Sequence, residues 1–215
     1  EVVDYINLVK RAVPVIRQEY PQAKIVVGAT NYLGQPDSQE YLFTILNSDI
    51  MPLVDIISWH PMYGTSPEFD SEYYAKYPSI VNGIKDTAFD HGFTGTFEAD
   101  ELTWFAIDGN WDGWSTQYSD SVSGKYMARG IVLHLGMDVT AGVASALIFD
   151  PQWVSISSVV RNLSLIMAEA KVMDLPFSVD ANSGNMASYS FILPNGDTLL
   201  AVWDDGAAVD IDGGD

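Results

Sequence analysis

From Val3 to about Glu19 the apolar residues Tyr5, Ile6, Val9, Ala12, Val13 and Ile16 recur at the three- and four-residue spacing of one helix face, and Tyr20-Pro21 ends the run. The spacing predicts a helix. Pro14 is an expected kink, because an interior proline removes one backbone hydrogen bond. Lys24 to Thr30 (KIVVGAT) is a short continuous apolar run between turn residues, the pattern of a strand buried on both faces. Asp37-Ser38 with Glu40 resembles a capping box opening a helix from Ser38 to about Leu53, and Asp55 to His60 (DIISWH) again reads as a strand.

The alternation continues with a helix Ser71 to Phe89, a strand Thr94 to Glu101, a helix Ser119 to Gly136, a strand Gly142 to Phe149 and a helix Ser157 to Met173. Strands separated by helices imply a parallel sheet with right-handed crossovers, since parallel strands cannot be joined by hairpins. After Pro176 the pattern changes. Met186 to Leu193 and Thr198 to Trp203 alternate around Pro194-Asn195-Gly196-Asp197, which predicts an antiparallel hairpin. The expected division is therefore 1–176 for the α/β part and 177–215 for the beginning of a β domain.

Composition narrows the function classes. Ten Lys and Arg against 29 Asp and Glu give a formal charge of −19, a field that repels phosphate backbones and anionic lipid heads, so nucleic acid is excluded as a partner. No apolar run approaches the ~20 residues of a membrane span. There is no Cys, and three His lack paired spacing, so neither a metal nor another cofactor is expected. Gly-rich phosphate loops and the G-x-S-x-G elbow are absent.

Sites in parallel α/β folds gather where strands end. The third strand end, Glu98-Ala99-Asp100-Glu101-Leu102-Thr103-Trp104, is the richest, with three carboxylates in four residues beside a Trp. Strict alternation puts Glu101 on the side of Phe97 and Ala99, opposite Glu98 and Asp100. Glu101 is then the carboxylate at the mouth if Phe97 and Ala99 face a packed interior; the alternative is a solvated acidic loop. His60 and Tyr63 end the preceding strand and could hold Glu101 by hydrogen bonds. Asn31 and Trp59 end the first two strands. Trp104, Trp111 and Trp114 offer flat faces for sugar rings, or else pack their loop down.

The segments YINLVKRAVPVIRQEYPQAKIVVGA, DIISWHPMYG, GFTGTFEADELTW and YSFILPNGDTLLAVW resemble the second half of a clan A glycoside hydrolase, a retaining (β/α)8 barrel, followed by the small C-terminal β domain of that family. The resemblance implies a partial TIM barrel running from helix 4 to helix 8. It makes Glu101 the nucleophile, since Asp100-Glu101-Leu102-Thr103-Trp104 matches the family's T-E-x-x-W with Asp in place of Thr. The family takes its acid/base from an Asn-Glu pair ending the fourth strand, and no Asn-Glu occurs here. That residue, with the N-terminal half of the barrel, is expected upstream of Glu1.

The expected function is retaining hydrolysis of O-glycosidic bonds in an oligo- or polysaccharide by an extracellular or cell-surface protein, with His60 and Tyr63 orienting Glu101 and Asn31, Trp59, Trp104, Trp111 and Trp114 lining the substrate. A non-catalytic carbohydrate-binding or structural relative is the alternative, and a self-contained half-barrel pairing with its own copy a third. Retaining hydrolysis requires two carboxyl groups about 5 Å apart. The 215-residue chain alone is therefore expected to leave an aryl glycoside unhydrolysed. Robust release of the aryl alcohol, followed by absorbance, would overturn that expectation.

Overall fold

The computed structural model describes residues 1–104, 118–144, 154–180 and 185–210. α1 (Val2–Glu19), β1 (Val26–Thr30), α2 (Pro36–Leu46), β2 (Ile56–Trp59), α3 (Ser71–Asp90), β3 (Thr96–Leu102), α4 (Asp120–Gly136), β4 (Thr140–Val143) and α5 (Val154–Ile166) follow one another in the expected alternation. The four strands are parallel and stand in the sheet order β1-β2-β3-β4. With right-handed crossovers, sequential order puts the connecting helices on one face. Burial agrees: Phe97 packs edge-on against Phe89 and Phe93, and Val27, Ile57 and Ala99 are buried. Val26, on the other face of β1, is 49% exposed. The expectation that KIVVGAT is covered on both faces therefore fails, and no closed barrel forms among the described residues.

Several boundaries move for local reasons. α1 runs through Pro14 to Glu19. α2 begins at Pro36 with Gln35 preceding it and no side-chain cap, so the expected capping box at Ser38 is not used. It ends at Leu46 and not Leu53, where Asn47 and Ser48 donate back to the Phe43 and Ile45 carbonyls and take up the last acceptors of the helix; Met51–Leu53 is a separate 3-10 turn. α5 stops at Ile166, because Glu169 takes a left-handed φ of 59° and redirects the chain into β5 (Lys171–Met173).

β5 pairs with β6 (Met186–Ile192), and β6 with β7 (Thr198–Asp204), in an antiparallel sheet ordered β5-β6-β7. The second sheet thus starts before the expected boundary at 177. Its hairpin has the expected turn, where Gly196 adopts φ 87° and the Asn195 side-chain oxygen Oδ1 accepts from the Asp197 amide at 3.0 Å. Phe191 and Met167 are buried with Val132 of α4, so this sheet rests on the same helices that cover the first. The end of the expected strand Gly142 to Phe149 lies outside the described residues. No helix among the described residues is long and apolar enough to cross a membrane.

A buried hydrogen-bond chain ties β2 to the two helices behind it. Trp59 Nε1 donates to the Tyr77 hydroxyl at 2.9 Å, Tyr77 meets His134 Nε2 at 2.5 Å, and His134 Nδ1 meets the Gly130 carbonyl at 2.6 Å. A carbonyl only accepts, so Nδ1 carries the proton, Nε2 accepts from Tyr77, and every polar group is satisfied only with neutral His134. Burial accordingly lowers its pKa from 6.5 to about 4. The unfolded chain binds one more proton between those values, so stability is full above pH 6.5 and falls toward pH 4, by up to roughly 3 kcal/mol from this group. In His134→Gln the dependence of unfolding free energy on pH in that window should be shallower, as measured by urea denaturation; an unchanged slope would place the acid sensitivity elsewhere.

Candidate functional site

At the C-terminal edge of the parallel sheet four side chains from two neighbouring strand ends converge. Trp59 points to the helices, so His60 takes the opposite, open face, and the chain then turns back to bring Tyr63 beside Thr103 in a parallel bridge. Tyr63 donates to Glu101 Oε2 at 2.7 Å, and His60 Nδ1 lies 2.8 Å from the same oxygen and 2.5 Å from the Tyr63 hydroxyl. With the phenol proton on Glu101, the network assigns the Nδ1 proton to His60 as the donor at its contacts. Burial, then the neighbouring Glu101 charge, pushes the Tyr63 pKa far above its ordinary value of 10.0, so the phenol remains a donor. Oε1 of Glu101 bonds to no described residue, and the side chain is 40% exposed.

Strict alternation does not deliver this arrangement. Glu98 pairs with Thr140 and Ala99 with Ala141, but the next pair is Leu102 with Val143, so β3 carries one extra residue. Ala99 and Leu102 are both fully buried, although three residues apart. Leu102 reaches Gly130 of α4, on the helix side that Phe97 also faces. The bulge between them turns both Asp100 and Glu101 to the open face, where Asp100 Oδ1 lies 3.6 Å from His60 Nε2. The expectation that Phe97 and Ala99 face an interior shared with Glu101 is corrected: they face the helices. Glu98 shares the open face with Asp100 and is set apart by depth, two residues or about 6.6 Å of strand.

Behind Tyr63 stands Tyr32, in the turn after β1, a residue that sequence reasoning passed over in favour of its neighbour. The two rings stack at 5.7 Å between centroids, inclined by 25°. Tyr32 is itself fixed by the Thr65 and Asp70 side chains, each at 2.7 Å, and burial raises its pKa. Asp70 takes a left-handed φ of 54° just before α3, a conformation that costs a non-glycine residue about 1 kcal/mol and is offset here by that bond. An aromatic residue two positions past a strand end was the available signal.

The other expected ligand contacts are scattered. Asn31 is exposed at the end of β1, its side-chain oxygen accepting from the Tyr32 amide at 2.8 Å. Trp59, 0% exposed, and Trp104, 1% exposed, present no face to a substrate at Glu101. The indole of Trp104 stacks over Tyr126 and donates to the Thr65 carbonyl at 2.9 Å, and α4 approaches it so closely that a Cβ on Gly130 would stand 2.5 Å from the ring. Both indoles are packing residues whose N–H groups find partners inside. Trp111 and Trp114 lie outside the described residues. Among the described residues no group of three or more His, Asp or Glu is arranged to hold a metal ion.

The chain matches no known family model, no curated protein and no solved structure. What the residues define is an ionisable carboxylate with one oxygen clasped by two donors, at the edge of a parallel α/β sheet. The buried packing of Trp104 carries its own expectation. Trp104→Ala should destabilise the fold by about 3 to 5 kcal/mol, lowering the melting temperature by about 6 to 20 °C, whereas Tyr63→Phe should change it little. A Trp104→Ala protein that melts normally but binds sugar more weakly would return the indole to the ligand surface.

Proposed function

We propose that this chain carries the nucleophile-bearing part of a retaining glycoside hydrolase built on a (β/α)8 barrel, acting on an oligo- or polysaccharide outside the cell. The observation that supports it is the clasp on Glu101: Tyr63 and His60 both hold Oε2, which orients the carboxylate and leaves Oε1 as the attacking atom. The sequential order of the four parallel strands, with helices over one face, fits a barrel segment, and the strand ends are where such folds keep their chemistry. The resemblance of the segments around His60, Glu101 and Tyr189 to clan A hydrolases supports the same reading.

In this reading Oε1 of Glu101 attacks the anomeric carbon. The new C–O ester bond forms as the glycosidic C–O bond breaks, and the leaving oxygen takes a proton from a carboxylic acid supplied upstream of Glu1. Water, losing a proton to that same group, then displaces Glu101 and restores the carboxylate. Tyr63 and His60 hold Glu101 aligned by donating to Oε2 and do not react. The aromatic faces expected to hold the sugar are not Trp59 or Trp104, which are buried.

A 2-deoxy-2-fluoroglycosyl fluoride tests the reading without needing the acid/base, because fluoride leaves unprotonated. From a panel of such reagents, at least one should leave a glycosyl adduct on Glu101, found by mass spectrometry of the β3 peptide. Tyr63→Phe should slow the labelling at least tenfold, about 1.4 kcal/mol of barrel-edge alignment. In a longer chain with its acid/base present, Glu101→Gln should cut turnover by several orders of magnitude with sugar binding retained. Labelling of Glu98 or Asp100 would show that the wrong carboxylate is named, and sugar binding with no adduct anywhere would favour a non-catalytic carbohydrate-binding protein.

A further inference from the structure

α3, α4, the β6–β7 hairpin and the strand-end residues Met62 and Trp104 line a cavity of about 230 Å³ that does not include Glu101. A cavity of roughly 150 Å³ with apolar walls holds one benzene ring, so there is space here for one substituted six-membered ring. Its walls are aromatic and aliphatic, with Trp203 and Tyr189 stacked on each other at 5.8 Å and Leu133 among the aliphatic side chains that complete the lining.

Two charged groups also line it, and both are fixed. Asp205 Oδ1 accepts from the Tyr74 hydroxyl at 2.6 Å and from Trp203 Nε1 at 2.9 Å, while Oδ2 bonds to no described residue. Arg129 donates through Nη1 to the Gly206 carbonyl at 2.6 Å, with its guanidinium carbon 5.3 Å from the Tyr126 ring centroid. Arg129 also hydrogen-bonds to the Tyr74 hydroxyl, and since a guanidinium has five N–H donors, donors remain beyond these two bonds.

From this lining we infer that the cavity is a binding site for a single neutral sugar ring. The chemistry selects among ring ligands. A purely apolar ring would leave Oδ2 of Asp205 and the uncommitted Arg129 donors facing a largely apolar space without a hydrogen bond to the ligand. An anion meets Asp205 and a chain whose formal charge is −19. An organic cation competes with Arg129, which already occupies the face of Tyr126. A pyranose has the remaining combination: an apolar C–H face for Trp203 and adjacent hydroxyls that donate to Oδ2 of Asp205 and accept from Arg129.

The site does not depend on Glu101 and stands or falls apart from the proposed hydrolase. It is tested with methyl glycosides of glucose, galactose, mannose and xylose, by saturation-transfer NMR and by tryptophan fluorescence, since Trp203 and Trp104 both face the cavity. At least one glycoside is expected to bind saturably in the millimolar range. Asp205→Asn should weaken it at least tenfold, as should Ala187→Phe, which fills the space from β6; Glu101→Gln should leave it unchanged. Should Ala187→Phe fail to fold, Asp205→Asn decides alone, with folding checked by its melting curve. Absence of binding by every glycoside, or binding equal in Asp205→Asn and wild type, would overturn the assignment and leave a water-filled gap. Binding lost in Glu101→Gln but kept in Asp205→Asn would also overturn it while supporting a sugar site at the sheet edge.

Discussion

The extra residue in β3 between Ala99 and Leu102 is the constraint on which the arrangement at the sheet edge rests. Without it, the period of two would send Glu101 to the helix side with Ala99, where a carboxylate would have to be buried against α3 and α4 at large desolvation cost. With it, two consecutive acids reach the open face and both approach His60. The bulge has its own requirement on the neighbouring strand: a Cβ on Gly142 would stand 2.9 Å from the Asp100 carbonyl oxygen, so β4 can follow the distorted backbone only because that position has no side chain. Asp100 Oδ1 is left buried with no hydrogen-bond partner among the described residues, at the edge where the chemistry is proposed.

Rigidity reaches the site from behind. Trp59, the residue before His60, is locked through Tyr77 to His134, and Tyr63 is backed by the stacked ring of Tyr32 and its two hydrogen bonds. Each of these hydroxyl and N–H groups is buried, and each has a partner, so motion of any one ring would strand a polar group at about 1 to 3 kcal/mol. The outcome is a carboxylate on β3 held by donors that directly follow β2 and are themselves held. The same satisfaction rule explains why Trp59 and Trp104 are interior: each indole N–H has a partner there, Tyr77 for one and the Thr65 carbonyl for the other.

Charge shapes what can approach. Several of the basic residues are committed to structure, Arg17 to Asp55, Lys10 to Asp49 and Lys76 to Glu72. The acids outnumber the bases by 29 to 10, so the surface field is negative and an anionic ligand would come to Glu101 against it. A neutral substrate meets no such barrier, which is consistent with a glycosidic bond between uncharged sugars and with a neutral occupant for the cavity beside Asp205.

The hydrophobic periods alone determined the parallel character of the first sheet, the hairpin around Asn195-Gly196 and the type and order of the elements except β5, which lies in a stretch whose spacing read as helix, because these follow from spacing within a dozen residues and from turn chemistry. Local signals also marked the strand ends that carry His60, Tyr63 and Glu101. Helix ends were misjudged where one residue decides them, as at Asn47 and Glu169, since side-chain bonds back to the helix and a left-handed backbone leave little trace in apolar spacing. Which carboxylates share a face was decided only in three dimensions: a bulge adds no unusual residue, and it exists because packing of Leu102 against α4 and the missing Cβ of Gly142 outweigh regular pairing. Tertiary packing likewise decided that Trp59 and Trp104 are core, for an indole's fate depends on whether a hydroxyl or carbonyl from another element arrives to accept its N–H, and no spacing within the chain records that.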